Sequence, residues 1–479
     1  SSRLIHGGVR YLEHGHLHLV FESSRERCIL LRIAPHLVRP LAFTWPVYRG
    51  ARISRFRLSL GLSLYDAISV FGSVARHARR STTEVLLDEP ALRTDGLLGG
   101  ARYFDASTDD ARLTLANVVS AAEGGAAVLN YAEVTGFVGS AGRTEGVEVR
   151  DARTGETFRV RARQVVSATG PWSDVLRSLE DPAQPPAMSG SKGVHVAVPR
   201  PRVGNRDAVT MLHPRDGRVM FALPAGDLTI VGTTETAMGA AMTDARADRE
   251  DVSYLLAAAN AYFPAALLGE RDVVAAWAGV RPLAAHLAAT GAGSASREHA
   301  IARGASGVIH VTGGKLTTLR AMAAEVVSRL GGAGGRTVGP ARTGVVPLPG
   351  GEQDLREVEA AAAAVIADPA VGQRLTHAYG GRWREVWSLA AADRRLAERL
   401  APGSAAIGAE FVYGVTREMA VTLGDLLVRR THLAFETRDQ AMSIAPGVAR
   451  LVATALSWDA DRVAAELRDY EREVTEIFG

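Results

Sequence analysis

Cysteine is nearly absent. Cys28 stands alone in 479 residues. This excludes an intrachain disulfide and any zinc or iron–sulfur centre built on several thiolates. The scarcity suits a reducing compartment, and Cys28, inside an amphipathic stretch, reads as a packing residue. Lysine is scarce too: arginine dominates the 55 basic residues, which leave a formal charge of only +3 against 52 acids. Aromatics make up 6% of the chain and are not interleaved with basic runs, so a nucleic-acid partner is not indicated. No apolar run reaches the ~18 residues that a membrane span requires. The opening SSRLIHGG lacks the charged-then-apolar pattern of a secretion signal. His14, His16 and His18 resemble a ligand ladder, but i, i+2 positions do not share a helix face, and no metal site is expected there.

What is present is an ordinary globular composition, with 47% hydrophobic and 22% charged residues. A chain of this length is expected to hold about two to three domains. Leu12–Ala34 reads as a helix stopped by Pro35, Leu58–Ala75 as another, and Arg76–Gly100 as a loop with short helical pieces. Tyr103–Asp105 reads as a short strand, and Asp109–Asp110 opens a helix that runs to Glu123. Ala127–Asn130 is expected to be a strand. Gly146–Val149 and Thr157–Val160 form a hairpin about Asp151–Gly155. Val165–Ala168 reads as a strand buried on both faces. From Gly190 to Thr236 apolar and polar residues alternate with turns, as in an antiparallel sheet. Beyond Gly331–Gly351 the pattern becomes helical, with amphipathic segments at Leu355–Ile366, Trp383–Leu400, Thr416–Leu433, Gly447–Leu456 and Asp459–Ile477. Arg429–Arg430 reads as a solvated helix face.

The most informative stretch is Gly307–Leu330, GVIHVTGGKLTTLRAMAAEVVSRL. It reads as a buried strand, a Gly-Gly-Lys turn and a helix opening at Leu316–Thr318. Two glycines let the backbone approach a ligand closely. The helix start presents unpaired N–H groups and a positive dipole end, and Lys315 adds a full charge. Such a turn receives an electron-rich or anionic group, although the same shape recurs in α/β proteins without any ligand. QVVSATGPWSD at 164–174 is a second strand running into a glycine-bearing loop.

The segments SSRLIHGGVRYLE, DDARL, VVSATGPWSD, GVHVAVP, VGTTE, AGVRPL and TGGKLTTLR follow one another in this order. Together they resemble the flavin-dependent, quinone-linked glycerol-3-phosphate dehydrogenases, a family with the fold of D-amino-acid oxidase. The helical C-terminal part is similar to that family's cap. The resemblance implies an α/β (α+β) architecture. An FAD-binding, Rossmann-like domain is interleaved with an antiparallel-sheet substrate domain, and together they occupy residues 1–345. FAD-binding parts fall near 1–40, 103–180 and 300–335, and the substrate sheet near 41–102 and 181–299. A helical domain follows at 346–479. The family's G-x-G-x-x-G turn, which seats the FAD pyrophosphate, has no counterpart here, and the chain is expected to lack the family's first ~40 residues.

The implied reaction is oxidation of sn-glycerol 3-phosphate to dihydroxyacetone phosphate, with FAD as cofactor and a quinone as electron acceptor. By the resemblance, Ser1, Ser2, Leu4, Ile5, His6, Gly7 and Gly8 wrap the flavin ring. Gly313, Gly314, Lys315, Leu316 and Thr317 meet the flavin, largely through backbone. Ala168, Thr169 and Gly170 lie near the ribityl and pyrophosphate, and Val134 or its neighbour Ala132 near the adenine. Arg10, Tyr11, Arg281 and Arg297 are implied for the substrate, because a guanidinium fork matches phosphate oxygens. His195 is the matched acid–base or hydrogen-bonding group. Arg281 is an alternative stabiliser of the alkoxide, and Lys315 reaches toward substrate. Thr233, Thr234 and Glu235 fall near the substrate side of the sheet. The resemblance also implies a cytoplasmic protein, with attachment to the inner face of the cell membrane and a homodimer left open. Two other readings remain: an amine or amino-acid oxidase of the same fold, and a non-catalytic remnant without FAD.

Overall fold

The computed structural model describes residues 2–8, 17–69, 75–140, 142–238, 245–284, 299–333, 339–401 and 403–479. Period-two alternation organises the first layer. In strand Met188–Pro199, Val194, Val196 and Val198 point to one face, and Gly193, His195 and Ala197 to the other. The valine face is closed. Val209, Met211, Met220, Ala222 and Val231 from neighbouring strands join it, and Leu255, Leu256, Ala258 and Ala259 of helix Arg249–Tyr262 pack over it. That helix is fixed at its start by a reciprocal cap between Asp248 and Asp251. The opposite face carries Phe43, Trp45, Tyr103, Phe221 and Trp277. An antiparallel sheet with one covered face leaves the other for a site.

Among the described residues this sheet has ten strands. Leu97–Thr108 and Val38–Tyr48 run antiparallel, Val38–Tyr48 joins Ala208–Leu212 in parallel, and Val219–Ala225, Leu228–Gly232 and Met188–Pro199 follow antiparallel. Strand Ala275–Ala284 pairs with the far edge of Met188–Pro199, setting Trp277 opposite His195 and Gly279 opposite Gly193. A three-stranded sheet holds His299–Arg303, Ile309–Gly313 and Val166–Ser167, the last pair parallel. A separate meander comprises Ala132–Ser140, Arg143–Asp151 and Thr157–Arg161.

From Leu355 onward the described chain is helical, with two apolar clusters. One centres on Val358, Leu375, Trp383 and Val386, the other on Phe411, Leu426, Leu427, Val448 and Tyr470. Buried charge joins this region to the sheets. The guanidinium of Arg112 donates to both carboxylate oxygens of Glu418 at 3.1 and 2.6 Å and to the Ala378 carbonyl at 3.0 Å. It also lies 4.2 Å from the Tyr379 ring centre. Removing one partner of such a pair strands the other's charge, at about 3–5 kcal/mol. Asp109, the N-cap of helix Asp110–Glu123, binds His432 Nε2 at 2.8 Å.

Several sequence expectations change. The short strand at Tyr103–Asp105 is the middle of a twelve-residue strand, Leu97–Thr108. Gly99 and Gly100 look like a loop in sequence, yet they sit inside the ladder. A Cβ on Gly99 would lie 2.5 Å from the Arg80 carbonyl, and one on Gly100 would lie 3.2 Å from the Pro46 Cα. Ala127–Asn130 is not a strand, having no ladder partner among the described residues, and Leu129 is exposed. Val166 is 37% exposed, so its strand is not covered on both faces. Thr416–Leu433 is not one helix. Helix Gly408–Arg417 ends there, Met419 turns at φ 57, and a π-helical segment Asp425–Arg430 follows. Arg430 is not solvated: it is buried and paired with Asp425. Cys28 is half-buried.

His36 is 2% exposed, and its Nδ1 has no hydrogen-bond partner among the described residues. Burial first, then the charges of Arg112 and Arg39, hold its pKa down to about 3. An unfolded histidine titrates near 6.5, so between about pH 6.5 and 3 only the unfolded chain carries this proton. Stability is therefore lost as pH falls, by at most about 1.4 kcal/mol per unit from this group. Denaturant unfolding at pH 7 and pH 5 should show His36→Asn losing about 2 kcal/mol less than the parent.

Candidate active site

The aromatic face of the large sheet borders a cavity of about 2080 Å³. Ser2, His6, Gly8, His195, Arg281 and Gly314 to Thr317 all line it, as do Phe43, Trp45, Tyr103 and Phe221. An apolar wall with a few convergent polar groups is the usual composition of a small-molecule site.

The His6–Gly8 segment is held from beneath. Gly7 N–H donates to Asp105 Oδ1 and to Tyr65 Oη, each at 3.1 Å. Tyr65 donates to the same carboxylate at 2.7 Å, and Arg27 pairs with it. Tyr65 remains protonated, because burial and then the Asp105 charge raise its pKa well above the usual phenol range. Gly7 leaves no room for a side chain: a Cβ would lie 2.8 Å from Tyr65 Cζ and 2.7 Å from Ser24 Oγ. Thr317 ties this segment to the glycine loop, accepting from His6 N–H at 3.3 Å and donating to His6 carbonyl at 3.4 Å.

His195 projects from the middle of Met188–Pro199. Its ring stacks on Trp277, with planes 13° apart and centres 5.7 Å apart. Trp277 meets Phe435 of the helical region edge-on at 5.1 Å, and Phe435 meets Phe478 at 4.9 Å. Gly232, opposite His195 in the ladder, is glycine for lack of space: a Cβ there would lie 2.7 Å from His195 Nε2. Nε2 shares a 2.9 Å hydrogen bond with Ser2 Oγ, while Nδ1 is buried without a partner among the described residues. Burial, with Arg281 and Arg3 nearby, lowers the pKa of His195 well below the ordinary range. The ring is neutral near pH 7. It suits hydrogen bonding better than strong proton abstraction.

Arg281 comes from the adjacent strand Ala275–Ala284 and lies over Gly193. Gly313 ends strand Ile309–Gly313 and Gly314 follows it, with φ of 70° and 93°, values that favour glycine. A Cβ on Gly314 would lie 2.6 Å from Met322 Sδ. The turn Leu316–Thr318 and helix Leu319–Ala333 come next, so amides lacking intrahelical partners begin at the cavity wall. Lys315 Nζ donates to Ser23 Oγ at 3.4 Å. The resemblance implies a flavin, and these residues fit its ring system: a glycine-cleared loop, a helix start suited to the anionic N1–C2=O edge, and an apolar wall.

Not every implied position converges. Leu4 lines the cavity, and Ile5, its partner in the short strand Leu4–Ile5, is fully buried in the core beside it. Val134 and Ala132 lie on strand Ala132–Ser140, and Ala168–Gly170 follow strand Val166–Ser167; neither group lines this cavity. Ser1, Arg10, Tyr11 and Arg297 lie outside the described residues. The Arg27–Tyr65–Asp105 network was not expected from sequence, nor was the Trp277 stack. The available signals were an acid amid apolar strand positions in RYFDAST, and WAGVRPL itself.

Comparison with known proteins agrees with this geometry. The profile of the FAD dependent oxidoreductase family matches residues 1–330, and that of the C-terminal domain of alpha-glycerophosphate oxidase matches 341–463. The aerobic glycerol-3-phosphate dehydrogenase of Staphylococcus haemolyticus is 33% identical over 90% of this chain and 79% of that protein. The chain belongs to the FAD-dependent glycerol-3-phosphate dehydrogenase family. The family's Staphylococcus aureus protein is 31% identical over 99% of this chain and 87% of its own. The crystal structure of the glycerol-3-phosphate dehydrogenase from Bacillus halodurans, complexed with FAD, superposes with a TM-score of 0.80 at 30% identity. It covers 100% of this chain and 86% of that one. The L-proline dehydrogenase of P. horikoshii, at 17% identity and a TM-score of 0.51, shares the fold alone.

The carboxylate network beneath His6–Gly8 can be tested by itself. Asp105→Leu leaves Arg27 buried and unpaired, and should cost about 3–5 kcal/mol in denaturant unfolding. The double variant Arg27→Met/Asp105→Leu should recover most of that loss, because no charge is then stranded.

Proposed function

We infer that this chain oxidises sn-glycerol 3-phosphate to dihydroxyacetone phosphate with FAD as cofactor. The carrying observation is the cavity in which His195, Arg281 and the Gly314–Thr317 loop meet, in a chain of this family. The oxidoreductase region extends to about residue 345, and residues 346–479 form the helical domain. Bound FAD supplies the acceptor for the hydride that leaves the carbinol carbon. Gly313, Gly314, Leu316 and Thr317 would hold the ring through backbone, with Ser2, Leu4, His6, Gly7 and Gly8 against it, Ile5 anchoring their segment from the core, and Lys315 beside it. Ala168–Gly170 and Val134 or Ala132 would serve the ribityl, pyrophosphate and adenine. Ser1 would join the ring-wrapping set, and Arg10, Tyr11 and Arg297 the substrate set.

Arg281 meets the substrate phosphate, for which a planar, always-charged fork is suited. His195, neutral, accepts a hydrogen bond from the substrate hydroxyl, orients it, and would take its proton as the hydride leaves the carbinol carbon. Trp277 keeps the ring in place. The apolar part of the cavity wall lowers the local polarity, so each polar contact beside it is worth more than it would be in solution. Anaerobic addition of sn-glycerol 3-phosphate to the FAD-loaded protein should bleach the visible flavin band. Glycine, proline and other amino acids should leave it unchanged. Bleaching by an amino acid but not by glycerol 3-phosphate would overturn the assignment.

The electron acceptor we propose is a quinone, reached from the inner, cytoplasmic face of the membrane. Among the described residues no helix is long and apolar enough to cross a membrane. Helix Arg55–Ile68, however, exposes Phe56, Leu60 and Leu64, four residues apart, at 72%, 61% and 42%. Exposed Arg52, Arg55 and Arg57 flank them, and no acid occurs between Arg27 and Tyr65. Such a face suits an anionic bilayer surface. Arg52, Arg57, Leu60 and Leu64 also border the cavity, which places the lipid side next to the site. Sedimentation with phosphatidylglycerol vesicles should bind the protein, and Phe56→Ser/Leu60→Ser should weaken binding at least about tenfold. Binding unaffected by the double substitution would remove this helix from the interface.

A further inference from the structure

We propose that Thr233 is a positioning residue for Arg281, with Gly193 as the platform on which the guanidinium lies, and that the pair sets how tightly the site takes a phosphate dianion. The inference rests on the reading of Arg281 as the phosphate-facing cation. Arg281 Nη2 donates to Thr233 Oγ1 at 2.9 Å, and both terminal nitrogens reach the Thr234 carbonyl, at 3.3 and 3.4 Å. Thr233 Oγ1 itself donates to that carbonyl at 3.1 Å, closing a triangle around one edge of the fork. The Thr234 side chain anchors the arrangement to the central strand, accepting from Val194 N–H at 3.0 Å.

Gly193 supplies the other constraint. A Cβ there would lie 2.7 Å from Arg281 Cζ and 2.8 Å from Nη1, with Nη2 nearer still. The guanidinium therefore occupies the space a side chain at Gly193 would take. Gly279 stands opposite Gly193 in the ladder, and a Cβ there would meet nothing within 4 Å among the described residues. Thr233, Gly193, Gly279 and Arg281 all border the cavity. A fork gripped along one edge by Thr233 and the Thr234 carbonyl is held in one orientation, and a β-branched threonine is itself restricted in χ1. Much of the ordering entropy of a long arginine side chain is thus lost on folding and need not be lost when an anion binds.

The test uses the FAD-loaded protein and two readouts: steady-state kinetics with sn-glycerol 3-phosphate, and the Kd of inorganic phosphate from flavin difference spectra. Thr233→Val should raise the substrate KM and the phosphate Kd by the same factor, about tenfold or more, with kcat within about twofold. Thr233→Ser, which keeps the hydroxyl, should restore both. Gly193→Ala, which lifts the guanidinium off the strand, should reproduce the valine phenotype. It also guards against a valine variant that fails to fold. Wild-type phosphate affinity in either Thr233→Val or Gly193→Ala would overturn the proposal, as would a loss confined to kcat. A shift in phosphate Kd without any turnover of glycerol 3-phosphate would support the positioning role while removing the substrate assignment.

Discussion

One buried carboxylate holds much of the site together. Asp105 sits in the middle of a sheet strand, almost wholly out of water, where an unpaired charge is not tolerated. It is compensated by Arg27 from helix Leu17–Ile33, by Tyr65 from helix Arg55–Ile68 and by the amide of Gly7. Those three donors come from parts of the chain far apart in sequence. Once Asp105 is satisfied, two helices are fixed to one strand and the His6–Gly8 backbone is seated against the cavity. Thr317 then links that backbone to the glycine loop. The wall expected to face a cofactor is therefore positioned by electrostatics from behind, and its glycines keep the front clear.

The second organising constraint is the two-sidedness of strand Met188–Pro199. Its valines close one face under a helix, and its glycine, histidine and serine positions open the other. Cross-strand register does the rest. Trp277 falls opposite His195, and Gly232 flanks it from the other side, so the imidazole lies between a ring and a bare backbone. Phe435 and Phe478 continue that contact into the helical region. The helical region thus forms part of the packing that fixes the histidine.

Much of this was legible in the sequence, for identifiable reasons. Alternation in GVHVAVP and VMFALPAGDLTIVG marks the antiparallel sheet, because one face is covered and the other is not. The Gly-Gly-Lys turn was readable because two positive-φ positions require glycine in both. Other features were hidden because their causes are long-range. Gly99 and Gly100 read as a loop, yet a neighbouring carbonyl and backbone exclude their side chains from within a ladder. Arg430 read as surface because its partner, Asp425, depends on a π-helical turn that no simple periodicity marks. The Asp105 network joins residues 27, 65 and 105, whose separation in sequence carries no pairing signal. Local rules give elements and turns, whereas buried charge compensation is a property of the assembled fold.

The scarcity of lysine has a practical consequence. Lys192 and Lys315 are the chain's only lysines. Lys192 is clamped between Asp248 and Asp251, whereas Lys315 borders the cavity. Amine-directed labelling, which on most proteins scatters over dozens of surface sites, has here only these two side chains to modify. Competition between a bound ligand and an acylating reagent would then report occupancy at one defined nitrogen, with Lys192 as an internal reference on the same molecule.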